Sequence, residues 1–395
     1  MTDEFNALEH CTLCAEQGRL TWLMHMGPDW CPDCQHHDPA GYERVKALRP
    51  QQAVNDQTVE ALTLLGRDAN QYIPIPFDGC NDLPPMAPGS VSIFAGASGL
   101  GKTAVTTSMI DQWVRRGVPC YVLPLETRAH SWRVAFACHR LGIHAGLALS
   151  GTLRLREQAG DPTAAKQRTQ ISDMLTKMAS DPALTRDLYV AGQRAINVRA
   201  LTDACHHAHA IGMRLVIVDH IDHVGDDDGG SASNAIQESK RVLHTALELA
   251  QKLDLTLLLT SQLNSRGQSG DRLSRYAPPQ LEHLLLHTYK VQVSESIYGI
   301  FRPLDPIARP ADLKAARAGT AEPSSVLWAN RSGLVALKLR HRGDLEGKRV
   351  VLAYDNGRVR DLTSLEASSD RLRVTHAADR DETEAKGRAI LRGEH

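Results

Sequence analysis

Apolar positions in this chain follow two rhythms. Short unbroken runs predict buried strands: "SVSIFAG" (90–96), "PCYVLPLE" (119–126), "LYVAG" (188–192), "RLVIVDH" (214–220), "LTLLLTSQ" (255–262) and "SIYGIFRP" (296–303). Longer amphipathic stretches between them predict helices, as in "GKTAVTTSMIDQWVRRG" (101–117) and "NAIQESKRVLHTALELAQKL" (234–253). Strands that alternate with helices predict an α/β fold, a mainly parallel sheet covered on both faces, over residues 71–345. "VLWANRSGLVALKLR" (326–340) and "RVVLAYDNGRVRDL" (349–362) read as hairpins, the second through its Asp355-Asn356-Gly357 turn. Residues 346–395 are expected to hold that hairpin and a charged, flexible tail. Upstream, residues 41–70 read as a linker. It contains one helix over 55–68, capped by Asn55 or Asp56, with Val59, Leu62 and Leu65 on one face and Gly66 at its end. Residues 1–40 show no core periodicity, and the chain has no internal repeat.

Composition adds bounds. The 395 residues carry 45 Lys and Arg against 46 Asp and Glu, so no global basic field points to nucleic acid; a local basic channel remains open. The acidic start "MTDEFNALEH" is not a signal peptide, and no apolar run reaches the length of a membrane span. A soluble, intracellular, cytoplasmic protein with no membrane partner is expected.

"GASGLGKT" (96–103) fits G-x-x-x-x-G-K-[ST], between a strand and a helix. Its backbone from Gly96 through Ser98, Gly99 and Gly101 lets N–H groups converge on the phosphates of ATP, and the helix start adds its dipole. Lys102 should meet the β- and γ-phosphates, and the Thr103 hydroxyl should hold Mg²⁺. Asp219, ending "RLVIVD", is the expected carboxylate on the magnesium side. His220 follows it, where AAA-type ATPases have their catalytic Glu. RecA-like ATPases place that Glu on an earlier strand end, and Glu126 stands there to polarise the attacking water. Gln262, ending another apolar run, is placed to sense the γ-phosphate.

The chain has eight cysteines. Cys80, Cys120, Cys138 and Cys205 read as buried thiols. Cys11, Cys14, Cys31 and Cys34 form C-x₂-C-x₁₆-C-x₂-C, two thiolate pairs suited to a tetrahedral structural Zn²⁺ site. Forty residues scarcely make a core alone, so metal binding would supply the fold.

Together these blocks resemble a known family. From about residue 72 to 342 the chain is similar to the RecA-like ATPase domain of DnaB-type hexameric replicative helicases. The resemblance is carried by "PIPFDGCNDLPPMAPGSVSIFAGASGLGKTA", "YVLPLETRAHSWRVAFACHRLGI", "INVRALTDACHHAHAIGMRLVIVDHIDHV" and "NAIQESKRVLHTALELAQKLDLTLLLTSQLN". It implies a homohexameric ring with ATP sites between subunits, translocation on single-stranded DNA, and duplex unwinding. Arg331 falls where the family has its arginine finger; a Lys the family often has two residues earlier is Ala329 here, with Lys338 or Arg340 as possible helpers. The DNA-contacting loops correspond to 264–279, with Arg266, Arg272 and Arg275, and to 281–296, with Lys290. The second departs from the family's Gly-Ser turn and acidic run. Phage primase-helicases also carry a zinc module, but about 35 residues between Cys34 and the ATPase leave no room for a primase, so the module is expected to contact DNA or recruit a primase or other replication protein, ahead of a purely structural role in the ring collar. The setting implied is phage- or plasmid-type replication in a bacterial cell. Two other readings stay open: a RecA-group recombination or repair ATPase, and an ATP-gated loader or regulator that unwinds nothing.

Overall fold

Six apolar runs do become adjacent strands. The structure, a computed structural model, describes residues 66–192, 197–225, 235–264, 273, 276–284, 287–371 and 373–374. Their strands are β1 (Val91–Gly96), β2 (Cys120–Pro124), β3 (Leu188–Val190), β4 (Leu215–Asp219), β5 (Thr256–Gln262), β6 (Ser296–Phe301), β7 (Arg331–Leu339), β8 (Arg349–Asp355) and β9 (Arg358–Arg360). They form one sheet in the order β3-β2-β4-β5-β1-β6-β7-β8-β9. Pairing is parallel from β3 to β6 and antiparallel from β6 to β9. Every residue of β1, β2, β4 and β6 is buried, as unbroken apolar runs require when helices cover both faces.

The helices are α1 (Lys102–Arg115), α2 (Ala129–Leu141), α3 (Ala145–Leu149), α4 (Thr152–Gln158), α5 (Pro162–Ser180), α6 (Pro182–Asp187), α7 (Val198–Ala210), α8 (Ala235–Leu253), α9 (His287–Val293) and α10 (Pro310–Ala318). On one face of the sheet, Leu201, Ala204 and Ala208 of α7 and Val242, Ala246 and Leu249 of α8 pack against Ile93, Val216 and Leu257. On the other, Val105, Met109 and Trp113 of α1 and Trp132 and Phe136 of α2 pack against Phe94, Val122 and Ile217. Successive residues of β1 thus feed opposite layers, the period of two that a strand imposes. Trp113 Nε1 also donates to Pro74 O at 2.7 Å, which ties the segment before β1 to α1. Between β2 and β3 the helices α2 to α5 bury a satellite core of Ala137, Cys138, Leu153, Ala164 and Ile171. Asp161 caps α5 through Thr163 N and Ala164 N, with Pro162 at its first position.

The turn at Asn356-Gly357 is present, with φ of 47° and 83°, and joins β8 to β9. The hairpin expected over 326–340 is not. Residues 331–339 run as a single strand, because β6 occupies one edge and β8 the other. The segment 281–296 is likewise no open loop: α9 occupies 287–293. Contacts divide the chain into Met1–Gln71 and Tyr72–His395. The zinc module over 1–40 and the linker helix up to residue 65 lie outside the described residues, as do 375–395. No described helix is long and apolar enough to cross a membrane.

Close packing makes one glycine indispensable. A Cβ on Gly299 of β6 would overlap the Pro279 ring and come within 2.8 Å of Val335 Cγ1. Gly299→Ala should lower stability by about 1–3 kcal/mol in a denaturant titration, whereas Gly192→Ala, which meets nothing within 4 Å, should change it by less than about 0.5 kcal/mol.

Candidate active site

The carboxyl ends of β1, β2, β4 and β5 lie side by side, and register decides which residues meet there. Gly96 pairs with Gln262 across β1 and β5, and Pro124 pairs with Asp219 across β2 and β4. The phosphate loop leaves β1 and turns through Gly99 (φ 76°) and Gly101 (φ 91°), left-handed conformations that favour glycine. Gly96 has a different constraint: a Cβ there would stand 3.0 Å from Ile300 O and 3.3 Å from Lys102 Cγ. Lys102 is buried, and its Nζ donates to Gly96 O (2.9 Å) and Ala97 O (3.3 Å). Burial pulls its pKa below the lysine range, against the opposing charges of Glu126, Asp219 and Asp222. A cation curled onto its own loop's carbonyls, in a cradle that a Cβ would fill, fits a phosphate chain.

The acidic side is held as firmly. Thr260 Oγ1 donates to Asp219 Oδ1 at 2.6 Å, and Thr103 Oγ1 approaches Asp219 Oδ2 at 3.4 Å. Asp219 is buried, which raises its pKa despite the Thr260 hydrogen bond. A divalent cation between Thr103 and Asp219 would reverse that shift, so this donor set fits Mg²⁺. The main-chain carbonyl of Asp219 also accepts from Leu125 N (2.6 Å) and Glu126 N (3.1 Å). The Glu126 carboxylate is about half exposed and open to water.

Beside these groups stands a cluster that sequence patterns missed. Asp222 follows β4, and its carboxylate accepts from Gln262 N (2.8 Å), Ser261 Oγ (3.0 Å) and Lys290 Nζ (2.7 Å). Burial alone would raise the Asp222 pKa, but Lys290 and these hydrogen bonds hold it below the usual carboxylate value. His220, fully buried, sets its Nε2 3.1 Å from Gln262 Nε2 and 3.4 Å from Glu126 Oε2. Its ring stacks on His223 with centroids 4.2 Å apart, and burial lowers its pKa below the usual histidine value. The only sequence signal for His220 was its place directly after Asp219.

Two expected site residues are elsewhere than expected. Lys290 was read as a DNA contact. It lies on α9 with 1% of its surface exposed, between Asp222 and Ser261 Oγ (2.5 Å), and is unavailable to a phosphate. Arg331 is expected at the family's arginine-finger position. It opens β7, is 8% exposed, and makes two bonds to Asp370 of its own chain, Nε to Oδ2 at 2.7 Å and Nη2 to Oδ1 at 2.9 Å. Asp370 belongs to the helical segment that starts at 364. Arg266, Arg272 and Arg275 lie outside the described residues, as do Cys11, Cys14, Cys31 and Cys34. Among the described residues no group of three or more His, Cys, Asp or Glu side chains could hold a metal ion. The four remaining cysteines are buried free thiols, as expected.

Tyr354, at the end of β8, was also missed. Its Cε2 lies 3.9 Å from a Cβ position on Gly101, and the Arg302 guanidinium stands 4.9 Å above its ring. Arg302 Nε is buried without a hydrogen-bond partner. The pair offers a flat aromatic and cationic surface directly beside the phosphate loop.

Residues 83–278 match the family model described as "DnaB-like helicase C terminal domain". A solved structure of another protein's ATPase domain aligns with a TM-score of 0.55 at 15% identity, covering 80% of this chain and 99% of that one. "The Structure Of A DnaB-Like Replicative Helicase And Its Interactions With Primase" aligns with a TM-score of 0.56 at 16% identity, covering 78% of this chain and 67% of that one. At such identities the likeness to solved structures is one of fold, the RecA-like α/β domain. "Crystal structure of the RadB recombinase" aligns with a TM-score of 0.39 at 11% identity, too low to carry an argument. No curated protein matches. The family match ends before α9 and β7, the two elements on which Lys290 and Arg331 depart from expectation.

Removing Lys290 strands the buried Asp222 carboxylate. Lys290→Ala should cost about 3–5 kcal/mol of stability by chemical denaturation, and the double change Lys290→Met with Asp222→Leu should recover most of it. Unchanged stability in the single variant would show that the pair does not hold α9 to β4.

Proposed function

We propose that this chain, a DnaB-like helicase through residues 83–278 and hence an ATP-hydrolysing DNA helicase, works as a homohexameric ring that moves along single-stranded DNA and opens duplex during replication. The observation that carries the reading is the meeting of Lys102, Glu126, Asp219 and Gln262 on neighbouring strand ends, with β5 running directly into the segment 264–279.

ATP would supply the phosphoanhydride bond, and Mg²⁺ held by Thr103 and Asp219 would screen the charge that develops as it breaks. Lys102 leaves Gly96 O and Ala97 O for the β- and γ-phosphates, while Thr103 and Asp219 hold the metal. The backbone of Gly96, Ser98, Gly99 and Gly101 cradles the phosphates. Glu126 orients the attacking water and takes its proton. Tyr354 and Arg302 would support the nucleobase beside the phosphate loop. Gln262 senses the γ-phosphate and passes its state to 264–279, where Arg266, Arg272 and Arg275 track the DNA backbone. Support for those three arginines comes from sequence alone. A finger role for a neighbour's Arg331 requires it to exchange Asp370 for a phosphate.

The four amino-terminal cysteines hold Zn²⁺ in this reading, supported by their spacing. Their module contacts DNA or a replication partner such as a primase; interaction with primase is named for one of the similar solved structures. The site of action is the bacterial cytoplasm. The inward pairing of Arg331 and the absence of a lysine at Ala329 favour one rival, an ATP-gated loader that unwinds nothing.

On a forked duplex the protein should release the displaced strand only with hydrolysable ATP. Lys102→Ala should lose at least about a hundredfold in phosphate release. ATP turnover without strand release would instead favour the loader. A second outcome concerns the metal: elemental analysis should find zinc bound at one ion per chain, about 1:1, and Cys14→Ser should abolish it.

A further inference from the structure

His220 has no part in the roles above, yet it stands between two residues that do. Its side chain is 2% exposed. Its Nε2 lies 3.4 Å from the Glu126 carboxylate and 3.1 Å from the Gln262 side-chain amide. Its Nδ1 is buried and makes no hydrogen bond, the nearest carboxylate oxygen being Asp222 Oδ2 at 3.9 Å. A neutral imidazole has one N–H. With acceptors on the Nε2 side and none on the Nδ1 side, that hydrogen belongs on Nε2. Amide oxygen and nitrogen exchange places by a simple turn, so Gln262 can present its oxygen to it. One N–H then serves two acceptors, the catalytic carboxylate and the sensor amide.

The frame around this contact is rigid. Stacking on His223 fixes the plane of the imidazole. The Gln262 main chain is pinned by Asp222 through its N–H, and Asp222 by Lys290. The Glu126 main chain is pinned to Asp219 O. What is left to move is the Gln262 side chain and the exposed half of Glu126.

We propose that His220 is a positioning residue that couples the sensor to the catalytic carboxylate: when Gln262 turns away from Nε2, the freed N–H binds Glu126 and fixes it for the attacking water. No proton is transferred; a single hydrogen bond changes acceptor. Hydrolysis therefore becomes efficient only when Gln262 is engaged elsewhere, as DNA on the following segment would require. The proposal rests on the roles given above to Glu126 and Gln262.

The test uses the full chain, with phosphate release measured with and without oligo(dT). His220→Ala should keep its KM for ATP and its affinity for a fluorescent ADP analogue, and lose about tenfold to a hundredfold in DNA-stimulated kcat. His220→Gln, which returns an amide N–H near the place of Nε2, should restore most of the loss. Gln262→Ala alone should raise turnover without DNA, because no amide then competes for the Nε2 hydrogen, and in the His220→Ala background it should no longer do so. Full DNA-stimulated kcat in His220→Ala overturns the proposal, and so does an effect of Gln262→Ala that is the same with and without His220. Loss of analogue binding in both His220 variants would mean a merely structural ring and would also overturn it. If the unmodified protein shows no DNA-stimulated turnover, the functional reading itself fails and takes the proposal with it.

Discussion

Strand register is the constraint on which everything at the site depends. A parallel sheet fixes the relative height of its strand ends through main-chain hydrogen bonds, whatever the side chains are. Gly96 opposite Gln262 and Pro124 opposite Asp219 follow from that register. A slip of one residue in β4 or β5 would send Asp219 or Gln262 to the wrong face of the sheet. The apolar runs that make these strands are therefore also what aims the polar residues at their ends. Buried Trp113, Phe94 and Phe136 on one side and the α7 and α8 layer on the other keep the sheet from shifting.

The second level of order comes from main-chain and buried polar contacts. Asp219 O gathers the amide hydrogens of Leu125 and Glu126, so the ends of β4 and β2 are joined through one atom. Asp222 does the same for β5 and α9 through Gln262 N and Lys290. Within that frame His220 is where the Gln262 amide and the Glu126 carboxylate meet. The residues free to respond to a ligand are side chains at the rim; their backbones are held.

The strands and the phosphate loop were legible because each is a local pattern. Unbroken apolar runs, glycine spacing and a carboxylate ending a run suffice to find β1, β2, β4 and β5, Lys102, Asp219 and Glu126. What escaped was set by distant partners. Lys290 looks like any lysine near a polar stretch; its burial depends on Asp222, 68 residues away in the chain. Arg331 is paired with a residue 39 positions later. The stretch 326–340 reads as a hairpin, yet the neighbouring β6 and β8 recruit 331–339 as one strand. Tyr354 sat in a correctly read hairpin, but nothing local says that its ring reaches Gly101.

The Arg331–Asp370 pair has a further meaning for what Arg331 can bind. Two carboxylate oxygens on one guanidinium imitate the paired oxygens of a phosphate. The helix that begins at residue 364 thus holds a carboxylate against the first residue of β7 in the paired geometry a phosphate would take. Both side chains are buried, so the guanidinium charge is neutralised within the chain. Any anion that takes Arg331 must first displace that carboxylate, so the pair sets a threshold that a weak anion does not cross.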